Sequence, residues 1–175
     1  MKPPRSLKAR ALQWLAQREH SRVELRRKLL PQALAEDELA ASSGAASAEP
    51  APAARVEAAL DWLEAHGYLS TERFVESRVH ARSGRFGNLR IRHELKQHQV
   101  ALPAEAAQVL KDSELQRARA VRERKFAQVP TTTAERARQA RFLAGRGFSP
   151  DVIARALRTT VRADDEPDAA DSAPR

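Results

Sequence analysis

The stretch SRVELRRKL, residues 21–29, decides the predicted fold. Ser21 is followed three residues later by Glu24, which is the pattern of a capping box: the serine oxygen accepts the N3 backbone N–H and the glutamate reaches back to the cap. Leu25 and Leu29 are four residues apart, so they share one face of the resulting helix. The stretch therefore predicts a helix that begins at Ser21 and carries an apolar face beside a basic one.

The end of this helix has two further copies along the chain. In each copy the middle helix closes on an apolar residue that is followed five positions later by another, and the pairs are Leu29 and Leu34, Leu95 and Val100, and Leu143 and Phe148. A second register stays open, in which ALQWL at 11–15 corresponds to ALDWL at 59–63. Short helical units bury little surface alone and are stabilised by stacking on their neighbours. We therefore expect an all-α fold, an elongated, curved array of three tandem three-helix repeats.

Capping residues, glycines and prolines divide the chain into nine predicted helices. Their ranges are 7–17, 21–30, 55–66, 71–82, 88–97, 103–110, 112–126, 132–144 and 149–161. Repeat 1 is predicted at 1–36 and 55–70, repeat 2 at 71–111 and repeat 3 at 112–162. Segment 37–54, built of Ala, Ser, Glu, Asp, Pro, Gly and one Leu, is predicted to be a flexible insertion, and acidic segment 163–175 a disordered tail.

The charge balance predicts a polyanionic partner. Lys and Arg number 31 against 23 Asp and Glu, a formal net charge of +8, and clustered cations bind phosphates by releasing counterions. The middle helices and one turn carry the candidate binding residues, which form a predicted basic track: Arg22, Arg26, Lys28, Arg85, Arg90, Arg92, Lys96, Arg138 and Arg141. Such a track suits a phosphate backbone or an acidic protein groove, without reading bases. The alternative is that these are ordinary solvated helix faces.

The turn GRFGN, residues 84–88, is a second candidate site. Together with Arg82 it offers cations and the ring of Phe86 to nucleic acid or to a protein partner, although such a ring equally well plugs the core beneath a turn. The larger aromatic residues Trp14, Trp62 and Tyr68 lie in or beside apolar helix faces, and we expect them to pack in the core.

Enzymatic functions lack their motifs. The sequence has no glycine-rich phosphate loop, no dinucleotide fingerprint and no cysteine, and its five histidines lack the i, i+4 spacing of zinc ligands. Glu94-Leu95-Lys96 resembles half of a metal-dependent nuclease site, but no strand is predicted to supply the remaining carboxylates. We expect no enzyme activity and no cofactor. Because the chain also has neither cysteine nor an apolar run of about 20 residues, we expect a cytoplasmic protein without a membrane partner.

Four segments together resemble the family of the recombination regulator RecX: residues 15–29, 60–75, 91–96 and 142–149. This resemblance covers roughly residues 7–160 in register. It implies three tandem three-helix repeats, no catalytic activity, and binding to the nucleoprotein filament of the recombinase RecA. It further implies that the chain lodges in the filament groove and inhibits DNA strand exchange, ATP hydrolysis and co-protease activity. On this view the partners are RecA and single- or double-stranded DNA, held weakly through its backbone, and the chain is a monomer.

Two alternatives and two departures accompany the resemblance. A helical DNA-binding protein that acts without RecA has the same basic helices, and a metal-dependent nuclease is a third possibility. Gln99 stands where the family usually has glycine to close the middle helix of repeat 2, so this turn is expected to differ. The insertion at 37–54 is longer than usual in the family, which bears on how tightly repeat 1 packs.

Overall fold

The computed structural model describes residues 6–43 and 49–158, and all regular structure within these ranges is helical. The prediction of an all-α fold is thus confirmed. The eight helices are α1 (Leu7–Leu15), α2 (Arg22–Ser42), α3 (Pro52–Ala65), α4 (Thr71–Ser83), α5 (Asn88–Gln97), α6 (Ala104–Glu123), α7 (Thr133–Gly145) and α8 (Pro150–Ala156). None of the described helices combines the length and the apolar character needed to cross a bilayer.

Three hydrophobic cores follow one another along the chain. Unit 1 consists of α1 to α3 around Leu25, Leu29 and Leu60; unit 2 consists of α4, α5 and the first part of α6; unit 3 consists of the rest of α6 with α7 and α8. The other two cores are built on Phe74 and Ile91 in unit 2 and on Leu143 and Phe148 in unit 3. Separate cores in chain order are the arrangement expected of tandem three-helix repeats.

Helix α2 is longer than predicted. It passes through Pro31 and spans 21 residues, where the sequence predicts an end at residue 30. A proline inside a helix removes one backbone hydrogen bond, but packing against α3 holds the second half: Ala33 is fully buried, and Arg55 donates hydrogen bonds to the Ala33 carbonyl at 2.9 Å and to Asp37 at 2.5 Å. Leu34 is 47% exposed, so the predicted anchor pair of Leu29 with Leu34 is wrong.

The predicted boundaries of the insertion at 37–54 are wrong for the same reason. Its first six residues continue α2 to Ser42, and its last three begin α3, with Pro52 at the first helical turn, where the missing N–H of proline costs nothing. Residues 44–48 and the predicted acidic tail at 163–175 lie outside the described residues.

Helix α6 replaces two predicted helices. The sequence predicts helices at 103–110 and 112–126, but the chain stays helical between them and the Asp112 carboxylate accepts a hydrogen bond from Gln108 at 2.8 Å. The same helix buries Leu110 in the core of unit 2 and Ala118 in the core of unit 3. Because α6 packs into two cores, an uninterrupted helix buries more apolar surface than two separate helices would. Units 2 and 3 therefore share one helix.

The turns after α3, α5 and α7 have the same geometry. Each contains a residue in the left-handed region, namely Gly67 (φ 71°), Gln99 (φ 57°) and Gly147 (φ 80°). The following residue donates its N–H to the carbonyl five positions back: Tyr68 to Leu63 at 2.9 Å, Val100 to Leu95 at 3.1 Å and Phe148 to Leu143 at 3.2 Å. The anchor pairs predicted for repeats 2 and 3 are thereby confirmed. The turn at Gln99 does not differ from the others, because the closing bond compensates for the unfavourable φ of a residue with a side chain.

Candidate nucleic-acid interface

In unit 1, the predicted basic residues Arg22 and Arg26 face the acidic side of α3. Arg22 lies 2.6 Å from Glu57 and from Asp61 and 2.7 Å from Glu64, and Arg26 donates a hydrogen bond to Glu57 at 2.8 Å. Hydrogen bonds from Arg26, and then from Arg22, lower the pKa of Glu57 to about 2 although burial opposes this shift. These two guanidiniums therefore connect α2 to α3, and their charge is balanced within the unit.

Lys28 also has partners within unit 1. Its ammonium donates to Nε2 of the buried His20 at 3.0 Å, lies 3.8 Å from Glu24 and sits 5.0 Å from the ring centre of Trp14. Because Nδ1 of His20 is 2.9 Å from the carbonyl of Arg18, the neutral ring with its proton on Nδ1 satisfies both contacts. Burial is the main reason that the pKa of His20 is lowered. The three predicted site residues of unit 1 thus all serve its internal structure.

Arg92 and Lys96 of α5 are exposed and face solvent together. Neither forms an ion pair with any carboxylate in the described parts of the chain. Arg92 also lines a cleft of about 590 Å³ between α5, α6 and α8, with Lys111 and Arg155 on the other walls. Asp112 and Asp151 lie in the same walls, so the cleft has mixed charge.

Arg138 and Arg141 of α7 are exposed as well, but on a different helix. The guanidinium of Arg138 lies 5.7 Å from the ring centre of Phe126, and Arg141 forms no ion pair among the residues that the structure describes. These two residues are free to contact a partner. The cations of the predicted basic track are therefore accessible in units 2 and 3, whereas those in unit 1 are paired with carboxylates of the same unit.

A group of four cations surrounds Phe86, in the turn between α4 and α5. We call it the junction arginine cluster; its guanidinium carbons lie 4.6 Å (Arg90), 5.5 Å (Arg146), 5.7 Å (Arg82) and 5.8 Å (Arg85) from the ring centre. Within residues 6–43 and 49–158, one carboxylate pairs with them, that of Glu94, at 2.9 Å from Arg82 and 3.7 Å from Arg90. Four guanidiniums against one carboxylate leave a strong positive excess around an aromatic face.

Backbone contacts between units 2 and 3 assemble this cluster. The N–H of Gly87 donates to the carbonyl of Arg146 at 2.9 Å, and the N–H of Leu89 donates to the carbonyl of Gly147 at 3.1 Å. These two segments of the backbone approach so closely that a Cβ on Gly87 would lie 2.2 Å from the Gly147 oxygen. Only glycine permits this approach, which brings Arg146 of unit 3 beside the arginines of unit 2.

A buried polar network holds the turn from below. Glu114 accepts hydrogen bonds from both the backbone N–H and the side-chain amide of Asn88, each at 2.9 Å. Arg117 donates to Asn88 at 2.5 Å and to the carbonyls of Phe86 at 2.8 Å and Ser83 at 3.1 Å. Burial lowers the pKa of Arg117, and the charge of Glu114 partly offsets this effect. The turn is therefore fixed in place before any partner binds.

This arrangement suits a phosphate-bearing ligand. Guanidinium groups bind phosphate oxygens in a planar, two-pronged geometry, and a half-buried ring with cations around it offers a stacking surface as well. Within residues 6–43 and 49–158 no group of three or more His, Asp or Glu side chains is placed to hold a metal ion.

Sequence reasoning found only part of the cluster. Arg85 and Arg90 belong to the predicted track, and Arg82 was noted beside the turn, but Arg146 was missed. It lies 56 positions after Arg90, and the one local signal is its place between Gly145 and Gly147. A glycine on each side permits close backbone approach, which is a reason to expect an interface at that point.

Comparison with known proteins identifies relatives over nearly the whole chain. A family model described as the third three-helix domain of RecX matches residues 112–157. Proteins named "Regulatory protein RecX" match from Ralstonia nicotianae (47% identity over 156 residues, 88% of this chain and 87% of that protein) and Ralstonia pickettii (45% over 156 residues, 88% and 87%). The relative of that name from Herbaspirillum seropedicae is 44% identical over 170 residues, 95% of this chain and 98% of that protein. The chain belongs to the RecX family of regulatory proteins.

Proposed function

We propose that this chain is a negative regulator of the recombinase RecA that binds the RecA–DNA filament and inhibits strand exchange, ATP hydrolysis and co-protease activity. The junction arginine cluster supports this most directly, because four guanidiniums face one carboxylate at a pre-formed turn. A filament presents both a phosphate backbone and acidic protein surface, and both attract such a cluster. In this proposal the protein acts as a cytoplasmic monomer and performs no catalysis.

The proposal places the contact surface on units 2 and 3. The repeat boundaries in this proposal are residues 70/71 and 111/112, so that repeat 2 covers 71–111 and repeat 3 covers 112–162. Arg85, Arg90, Arg92, Lys96, Arg138 and Arg141 are the contacts in these repeats, joined by Arg82 and Arg146. Arg22, Arg26 and Lys28 contribute less, because each already has partners inside unit 1.

Two triple variants that remove the same charge test this placement. One is Arg85→Gln/Arg90→Gln/Arg146→Gln in the cluster, and the other is Arg136→Gln/Arg138→Gln/Arg141→Gln on the exposed face of α7. The measurement is the protein concentration that half-inhibits RecA strand exchange, with helical content from circular dichroism as the folding control. We expect the cluster variant to need about 10-fold more protein, because each lost phosphate contact weakens electrostatic binding, and the α7 variant to need less of an increase.

The outcomes separate three interpretations. An equal loss in both variants would spread the interface over the whole predicted basic track, and unchanged inhibition by both would contradict the proposal. A helical DNA-binding protein that acts without RecA is the alternative, since the cluster contacts phosphate equally well on bare DNA. It predicts the same affinity for DNA with and without RecA at physiological salt, with a steep loss of binding as salt rises.

A further inference from the structure

An aromatic stack lies at the end of unit 1, outside the proposed contact surface. We call Trp62, His66 and Tyr68 the aromatic platform. The rings of Trp62 and His66 are 4.1 Å apart at 27°, and those of Trp62 and Tyr68 are 5.7 Å apart at 20°, so both neighbours stack on the indole. The sequence predicts Trp62 and Tyr68 in the core, but Tyr68 is 48% exposed. That prediction is wrong for Tyr68.

The backbone holds the platform in place. His66 caps α3, and Gly67 takes a left-handed φ of 71° that turns the chain so that Tyr68 returns over Trp62. Arg73 donates hydrogen bonds to the carbonyls of Gly67 and Tyr68, both at 3.0 Å. A stacked tyrosine with a braced backbone loses little conformational freedom when a flat ligand binds, so the platform is pre-organised.

Tyr68 has a surface left for a ligand. Its ring makes no ring or cation contact other than that with Trp62 in the described parts of the chain. Stacking on the indole covers one face, and nearly half of the side chain remains in solvent. A half-exposed aromatic side chain at the edge of a stack is the geometry of protein surfaces on which unpaired bases stack.

Cations border the platform. The ammonium of Lys8 lies 4.6 Å from the ring centre of Trp62 and forms no ion pair with any carboxylate among the described residues. The nearby carboxylates of α3, Asp61 and Glu64, are partly neutralised by Arg22 at 2.6 Å and 2.7 Å. The platform therefore has one unpaired cation on its Trp62 side, and Arg22 reduces the repulsion from α3.

We infer that the aromatic platform is a binding site for single-stranded nucleic acid, in which a base stacks on Tyr68 and Lys8 contacts the adjoining phosphate. Duplex bases are already stacked on each other, so the site selects unpaired strands. Every base has a π-face, so it tolerates any sequence. The site lies in unit 1 and requires no RecA, which separates it from the proposed function of the junction arginine cluster.

The test compares two probes with the same number of phosphates: an oligo(dT) and an abasic oligodeoxynucleotide of equal length. The chain contains two tryptophans, so a Trp14→Phe background leaves Trp62 as the fluorescent reporter. We expect Trp62 fluorescence to change with oligo(dT) and the affinity for oligo(dT) to exceed that for the abasic strand by about 10-fold, the effect of stacking one base. Tyr68→Ala should abolish this preference, and Tyr68→Phe should keep it.

Controls distinguish the platform from other sites and from misfolding. Arg85→Gln should weaken binding of both probes equally and leave their ratio unchanged, while circular dichroism verifies that Tyr68→Ala remains folded. A Tyr68→Ala protein that still prefers oligo(dT), or an unmodified Tyr68 with no preference, would overturn the inference. Neither outcome bears on RecA inhibition, because no recombinase is present in the experiment.

Discussion

The junction between units 1 and 2 and the junction between units 2 and 3 are built in opposite ways. At the first junction, Ser21 at the start of α2 lies 2.8 Å from Nδ1 of His98 at the end of α5, and Arg73 pairs with Glu19 at 2.8 Å on the surface. These are side-chain contacts, one of them to a titratable ring. Such contacts respond to pH and salt, so the strength of the first junction depends on solution conditions.

The second junction uses backbone and a shared helix. Two main-chain hydrogen bonds cross this junction, and Gly87 and Gly147 bring two backbone segments into direct contact. Helix α6 contributes to both cores. The junction arginine cluster lies at this second junction. The aromatic platform lies in unit 1, on the other side of the first junction. The difference indicates that the charge cluster depends on fixed geometry. Three substitutions test this difference between the two junctions.

The largest effect is expected from Gly87→Ala. A Cβ at this position would lie 2.2 Å from a backbone oxygen, which cannot move without opening the second junction. We expect the free energy of unfolding to fall by about 3 kcal/mol, the upper range for overpacking, as measured by urea denaturation. Gly84→Ala is the matched control, since a Cβ there meets no atom within 4 Å and should leave stability nearly unchanged. Equal stability of both variants would show that the close approach is not obligatory.

Asn88→Ala should have the next largest effect. It removes one side-chain hydrogen bond to Glu114, one to the carbonyl of Leu110 and one from Arg117, and leaves the buried Glu114 and the half-buried Arg117 with fewer partners. The backbone N–H of residue 88 still donates to Glu114, so we expect a loss of about 2 kcal/mol in unfolding free energy. Gln108→Ala, which loses one exposed hydrogen bond, is the control. A loss no larger than in that control would mean that the network does not support the turn.

A smaller effect, from His98 at the first junction and from His20 inside unit 1, is expected from pH. Burial, and then the charge of Arg78, lower the pKa of His98 below its ordinary value of 6.5, and burial lowers that of His20 in the same direction. The unfolded chain therefore binds these protons more readily. The stabilisation is complete above about pH 6.5 and is lost as the pH falls through the lower pKa of the folded state.

The measurement is the unfolding free energy from about pH 8 to about pH 5, compared between the unmodified chain and His98→Gln. We expect the variant to lose part of the pH dependence, because glutamine does not titrate and retains a polar group opposite Ser21. His80→Gln, at an exposed position of α4, should behave like the unmodified chain. If His98→Gln kept the full pH dependence of the unfolding free energy, protonation of His98 would not be its cause.

Local sequence signals predicted most helices because capping is a local interaction. The capping box of Thr132 with Glu135 is present, and α5 begins and ends at the predicted residues. At Ser21 half of the box forms: the serine accepts the N–H of Glu24 at 3.1 Å, while the Glu24 carboxylate accepts from Arg18 at 3.1 Å. The guanidinium of Arg18 competes with the cap for the Glu24 carboxylate. Arg18 lies outside the stretch 21–29, so the spacing of Ser21 and Glu24 does not show this competition.

The errors arose where packing outweighed a local signal. Pro31 and Asp112 are ordinary marks of a helix boundary, yet both helices continue through them. The buried Ala33 and the hydrogen bonds from Arg55 hold α2 against α3 beyond Pro31, and α6 contributes Leu110 to one core and Ala118 to the next. At the candidate site, too, contacts between distant segments decided what the local sequence could not. Positive charge on the middle helices was visible in the sequence, but whether Arg22 meets Glu57 or solvent depends on which helix lies opposite.

The amino-acid order alone was enough for the helical class and for the anchor-and-turn pattern of units 2 and 3, because both depend on residues within about one or two helical turns. The excess of cations follows from composition. Only the tertiary structure decided which cations are accessible. Arg146 joins Arg82, Arg85 and Arg90 through the contact of Gly87 with Gly147, across 60 positions of the chain. Charge compensation and close backbone approach are properties of distant segments in contact, and the glycines beside Arg146 show locally only that such an approach is permitted.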